Sequence, residues 1–167
     1  AAHWPAPRTA FAMTGEITQI HATAIALDDL RCALILGPSG AGKSDLALRC
    51  ILQGAWIDGR HLTATLVADD QVIIERQRGQ LVATVPEPIA GLIEGRGMEL
   101  VRLPHLSPAA IVMAVELAEA GAIVRFPDPT LTLSLHDLTV PLMRVAAFEA
   151  SAHLRLLLAL MKGVPNS

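Results

Sequence analysis

Gly37-Pro38-Ser39-Gly40-Ala41-Gly42-Lys43-Ser44 spells G-x-x-x-x-G-K-S, the pattern of a loop that wraps its backbone around nucleotide phosphates. The flanks are those such a loop needs. Cys32-Ala33-Leu34-Ile35-Leu36 is an apolar run of strand length before it, and residues 45–52 carry a helical pattern after it. In that setting the glycines let successive N–H groups point inward, the helix N-terminus adds partial positive charge, and Lys43 can reach the β- and γ-phosphates. Residues 37–44 are therefore the expected nucleotide cradle, with Ser44 placed to hold magnesium.

Working outward, 167 residues suit one domain with a substantial core. The net charge of −3, with no basic run, argues against nucleic acid as the main partner. The chain is 52% hydrophobic but only 17% charged, which leaves few charges to cover its surface and points to a homo-oligomer. No apolar stretch approaches the ~20 residues that cross a bilayer, so no membrane role is expected. Cys32 and Cys50 flank the loop without metal-ligand spacing and read as small buried hydrophobes, in keeping with a reducing cytoplasm. Residues 1–18 read as a loose arm in which Met13 is a candidate start, residues 19–163 as the domain, and 164–167 as a tail.

Along the domain, 19–27 reads as a strand carrying His21, and 64–70 as a strand ending in Asp69 and Asp70. Residues 72–74 and 81–85 form a hairpin around Arg78-Gly79, and 87–97 is a loop holding Glu94 and Arg96 before a short strand at 100–103. Ser107 and Pro108 look like the start of a helix reaching Ala120, with Gly121 as its stop. Strands follow at 122–126, 131–135 and 140–145, and an amphipathic helix at 148–162. Hairpins mixed with a crossover unit predict an α/β fold with a mixed sheet.

Phosphoryl transfer needs a carboxylate for the metal, a proton acceptor for the attacking hydroxyl, and cations for the developing charge. Asp69 and Asp70 stand where a metal-holding aspartate is expected. Adjacent strand residues point to opposite faces, so both can serve only if the strand has already ended. Glu94 and Arg96 lie in a loop bracketed by Gly91, Gly95 and Gly97, and Arg125 sits in an apolar segment where it invites a phosphate or carboxylate.

In order and spacing, His21-Ala22, the loop 37–44, Leu66-Val67-Ala68-Asp69-Asp70-Gln71-Val72 and Glu94-Gly95-Arg96-Gly97-Met98 resemble the motifs of the HPr kinase/phosphorylase catalytic domain. Arg125-Phe126-Pro127 and Val140-Pro141-Leu142-Met143-Arg144-Val145 continue the likeness, which spans about 19–162. The resemblance implies a P-loop kinase domain with a nucleotide site similar to phosphoenolpyruvate carboxykinase, using ATP and Mg2+. It implies phosphorylation of a serine on the phosphocarrier protein HPr, reversal of that reaction by inorganic phosphate with release of pyrophosphate, and hexameric assembly. It makes His21 an active-site histidine, Lys43 the phosphate-binding lysine and Ser44 a magnesium ligand. Asp70 becomes the base, Asp69 and Glu94 the metal carboxylates, and Arg125 the catalytic arginine.

The chain departs from the family pattern in three places. It resembles a short form with the catalytic domain alone, and its connection at 55–65 is longer. Glu99 replaces a signature glycine, while Ala146-Ala147-Phe148-Glu149 stands where a loop tied to the reverse reaction is expected, so a weak or altered phosphorylase is predicted. Two competing readings are a P-loop kinase for a small metabolite, which would use the same groups but lacks an arginine-rich closing segment, and a nucleotide-binding regulator that transfers nothing.

Overall fold

The computed structural model describes the backbone of residues 8–9 and residues 17–28, 30–126 and 128–163. Strands dominate, and they begin before the loop motif: β1 (Arg8–Thr9), β2 (Ile17–Ile20), β3 (Thr23–Leu27) and β4 (Arg31–Leu36). The phosphate-loop segment leads into α1 (Lys43–Leu48), which runs on as a wider π-helical turn over Arg49–Gln53. Gly54 ends it at φ +64, where an added Cβ would lie 2.2 Å from the Leu62 carbonyl oxygen, so no other residue fits without moving backbone.

The long connection at 55–65 is a hairpin, β5 (Ala55–Ile57) and β6 (Arg60–Leu62), before β7 (Thr65–Ala68). The expected hairpin is β8 (Val72–Gln77) with β9 (Gln80–Thr84), and a smaller one joins β10 (Leu92–Glu94) to β11 (Leu100–Arg102). β12 (Ala109–Leu117), β13 (Thr132–Leu135), β14 (Leu138–Val145) and α2 (Ala152–Lys162) complete the described elements. The main sheet runs β1-β2-β8-β9-β12-β4-β3-β7, with β14 also on β12 and β13 on β14. β12 pairs parallel with β4 and β14, whereas the other pairs are antiparallel, so the sheet is mixed as expected.

Three expectations fail here. Residues 107–120 do not form a helix: Ala109–Leu117 is the strand that joins β9, β4 and β14. A strand flanked on both sides and covered on both faces reads as one continuous apolar run, and Ile111, Val112 and Val115 supply the β-branched side chains that suit it. The strand expected at 122–126 is instead a 3-10 turn at Ala120–Ala122 followed by bends, since β14 already occupies the free side of β12. The arm at 1–18 is not loose throughout, because Arg8 and Thr9 pair with Gln19 and Thr18, and Ile17–Ile20 belongs to the sheet. Met13 and residues 164–167 lie outside the described residues.

Two core layers line opposite faces of the sheet. Ile25, Ile35 and Val115 meet Leu46 of α1 and Leu156, Leu157 and Leu160 of α2 on one face. Ala24, Leu34 and Ala114 meet Val72, Ile74 and Leu81 on the other, where the sheet curls over itself. Cys32 and Cys50 fall in different layers, both buried and free, and burial pushes each thiol up to about 12.

His153 on α2 is a buried group whose protonation couples folding to pH. It is 4% accessible, its Nδ1 has no hydrogen-bond partner among the described residues, and its pKa is held below the ordinary 6.5 by burial first and by the Arg49 charge second, against a backbone hydrogen bond at Gly54. With the folded value below the unfolded one, falling pH protonates the unfolded chain first. Stability present at neutral pH is therefore lost as the pH drops through about 6.5. Urea unfolding between pH 7.5 and 5 should show that loss, and His153→Leu should flatten it.

Candidate active site

Strand β4 delivers the loop at its C-terminal end. There Gly42 takes φ +98, and a Cβ would sit 2.9 Å from the ring of Phe148 and 3.0 Å from Ala147 Cβ, so only glycine permits this close approach. α1 begins at the next residue, and its first turn presents main-chain N–H groups that have no partner within the helix. Lys43 is buried, and its Nζ donates to the carbonyls of Gly37 at 2.7 Å and Pro38 at 2.9 Å. Burial lowers the lysine pKa, opposed by the charges of Asp69 and Asp70.

Asp69 is the centre of the site. It is buried, and its Oδ1 accepts from Thr23 Oγ1 at 2.7 Å and Ser44 Oγ at 2.9 Å. Its Oδ2 accepts from the same hydroxyl at 3.0 Å and from the main-chain N–H of Glu94 at 3.0 Å. Bonds to a charged acceptor contribute about 1.5–3 kcal/mol each. Donors from β3, α1 and β10 thus offset the several kcal/mol that a buried carboxylate costs.

Asp70 lies past the end of β7 with φ +66, in the left-handed region that aspartate tolerates better than most residues. The strand has ended, so both aspartates line one cleft of about 450 Å3. His21 occupies the break between β2 and β3, and its Nδ1 lies 2.9 Å from both the Asp70 main-chain oxygen and Asp70 Oδ1. The side chains are 40% and 64% exposed, so the pair is open to an incoming group.

The structure brings together His21, Ser39, Gly40, Gly42, Lys43, Ser44, Asp69, Asp70 and Glu94 at this cleft, along with Arg96. Arg125 does not join them. It is exposed in the bends after the Ala120–Ala122 turn, with its guanidinium 5.5 Å from the centre of the Phe126 ring. Glu99 also lies outside the lining.

Thr23, Met98 and Phe148 line the cleft and were not anticipated. Thr23 was within reach of sequence reasoning, since it follows His21 by two residues and alternate strand positions share a face. Phe148 was assigned to the last helix, which in fact starts at Ala152 and leaves Phe148 in the preceding turn.

The residues present suit a hydrated magnesium ion shared with phosphates. Among the described residues no cluster of three or more His, Cys, Asp and Glu side chains could hold a metal ion. Ser44 and Asp69 with Glu94 offer the one or two carboxylates and the hydroxyl that magnesium takes when phosphates and waters complete its shell.

No model of a protein family matches the chain. Relatives do. A protein named HPr kinase/phosphorylase from Clostridium tetani is 35% identical over 83 residues, 50% of this chain and 24% of its own length. The protein of that name from Brevibacillus brevis is 32% identical over 123 residues, 67% of this chain and 37% of its own length. That from Bacillus licheniformis is 35% identical over 103 residues, 61% of this chain and 27% of its own. The chain thus spans between 24% and 37% of the length of these relatives. Its fold matches the structure of the Hpr(Ser) kinase/phosphatase from Coxiella burnetii with a TM-score of 0.66 and 20% identity, covering 84% of this chain and 87% of that one. With relatives of one name aligning over up to two thirds of its length and the same fold beneath, the chain is similar to part of the HPr kinase/phosphorylases.

Proposed function

We propose that this protein transfers the γ-phosphoryl group of ATP to a serine hydroxyl of HPr in the presence of Mg2+. The observation that carries the reading is the convergence of Lys43, Ser44, Asp69 and the Asp70–His21 pair on one cleft beside the phosphate loop. The family supports nucleotide use and, through the name its members bear, HPr as acceptor. A non-catalytic regulator would leave the open Asp70–His21 pair without a task, and a metabolite kinase, which would use the same groups, lacks the arginine-rich closing segment that a small acceptor calls for.

In this reading Lys43 turns from the Gly37 and Pro38 carbonyls to the β- and γ-phosphate oxygens. Its amine already lies against the loop, so little reorganisation is needed. Ser44 and Asp69, with Glu94 nearby, would hold the metal, which would supply positive charge against that building on the transferring group. Asp70 accepts the proton of the serine hydroxyl as its oxygen attacks phosphorus and the bond to the β-phosphate oxygen breaks. His21 orients that carboxylate through Nδ1. Arg125 contributes only if its segment moves to the cleft.

In the reverse direction, inorganic phosphate attacks the phosphorus of phosphoserine, the bond from phosphorus to the serine oxygen breaks, Asp70 returns the proton to that oxygen, and the pyrophosphate so formed departs. Glu99 stands away from the cleft, so any weakness of that reaction comes from the 146–149 turn. Leu30, Leu52 and Trp56 are strongly exposed, which supports self-association. No described helix is long and apolar enough to cross a membrane.

Incubation with ATP, Mg2+ and purified HPr should add one phosphoserine, read by intact mass. Lys43→Ala should abolish the transfer, and wild-type turnover in that variant would overturn the nucleotide site. Asp70→Asn should keep nucleotide and magnesium affinity while lowering the rate by ~10²–10⁴. Lost magnesium affinity in Asp70→Asn would instead mean that the two aspartates exchange roles. With serine-phosphorylated HPr, millimolar phosphate and no ADP, pyrophosphate release should run slower than the forward reaction, and equal rates would reject the weak reverse activity.

A further inference from the structure

Phe148 combines exposure with rigid placement. The side chain is 68% accessible, yet it lines the cleft with its ring edge against Gly42 of the loop. Arg49, from the π-helical turn that continues α1, donates through Nη1 to the Glu149 carbonyl at 3.3 Å and through Nη2 to the Ala147 carbonyl. One guanidinium therefore clamps the backbone on both sides of Phe148. Arg49 is itself fixed by Asp45 at 3.0 Å, and Glu149 N–H closes the turn on the Ala146 carbonyl at 3.2 Å.

The cleft is polar where Asp69, Asp70 and His21 gather, and the phosphates and metal belong with them. Leu48 on α1 and Phe148 offer apolar surface beside the same loop. A nucleoside triphosphate has this polarity, with a charged tail and a flat base whose π-face stacks on an aromatic ring. Resting on the nucleotide reading above, we infer that Phe148 is the stacking platform for the base of the nucleotide whose phosphates the loop holds. The clamp by Arg49 makes the platform pre-organised, so stacking orders little that is not already ordered.

Titration calorimetry in Mg2+ with ATP and, separately, inorganic tripolyphosphate separates base from phosphates. Phe148→Ala and Phe148→Leu should weaken ATP about ten- to hundredfold, as base stacking warrants, while tripolyphosphate changes by less than about twofold. Unchanged tripolyphosphate binding also reports an intact fold. Phe148→Trp should retain ATP affinity and gain indole emission that ATP quenches and tripolyphosphate does not. Undiminished ATP affinity in Phe148→Ala overturns the inference alone. Equal loss of both ligands does so too, by making Phe148 a prop for the loop. A wild-type protein that binds neither ligand overturns the nucleotide reading together with the inference.

Discussion

The carboxylate of Asp69 is the constraint on which the site depends. A buried anion is tolerable only when donors surround it, and here they come from segments far apart in sequence: Thr23 of β3, Ser44 of α1 and the main chain of Glu94 in β10. Satisfying one carboxylate thus fixes the helix that follows the loop against the strand beside it and draws the β10–β11 hairpin over the cleft. The same group that would steady a metal also assembles the walls around it. Removing it would leave two hydroxyls and an N–H group without their acceptor, loosening the site before any chemistry is considered.

Around that centre the charges are arranged to be ready rather than to be strong. Lys43 has no ion pair among the described residues; it rests on two carbonyls of its own loop, which a phosphate can displace at small cost. Asp70 and His21 stay open at the rim, within hydrogen-bond reach of each other. A tightly caged base could not receive a hydroxyl from a protein surface, whereas an exposed one can. A buried, fully bonded Asp69 stands next to an exposed Asp70 because the strand ends at Ala68, just before both.

The sheet order explains how these pieces meet. β12 carries β4 on one side from Ile111 to Glu116 and β14 on the other from Ala114 to Leu117, both parallel to it, so the loop after β4 and the turn after β14 emerge at the same end of the sheet. That adjacency places Phe148 against Gly42 and lets Arg49 reach across to Ala147 and Glu149. The last helix then packs beside α1 on the same face, closing the core under the site.

Local chemistry was legible from the residues. The loop motif, strand β4, the β8–β9 hairpin and the end of β7 at the aspartate pair all follow from glycine geometry, turn residues and short apolar periods, because each is decided within a few neighbours. The strand at 109–117 was not, since alanine, methionine and leucine serve a helix as readily as a strand covered on both faces, and only its pairing with β4 and β14 tells the two apart. The bond from His21 to Asp70, the donors gathered on Asp69 and the placing of Phe148 over the loop are likewise tertiary facts. Arg125 shows the converse: its place in an apolar segment invited a phosphate or a carboxylate, but the bend that carries it does not bring it to the cleft. Residue chemistry by itself determined what the groups could do; the long-range pairing of strands decided which of them stand close enough to do it together.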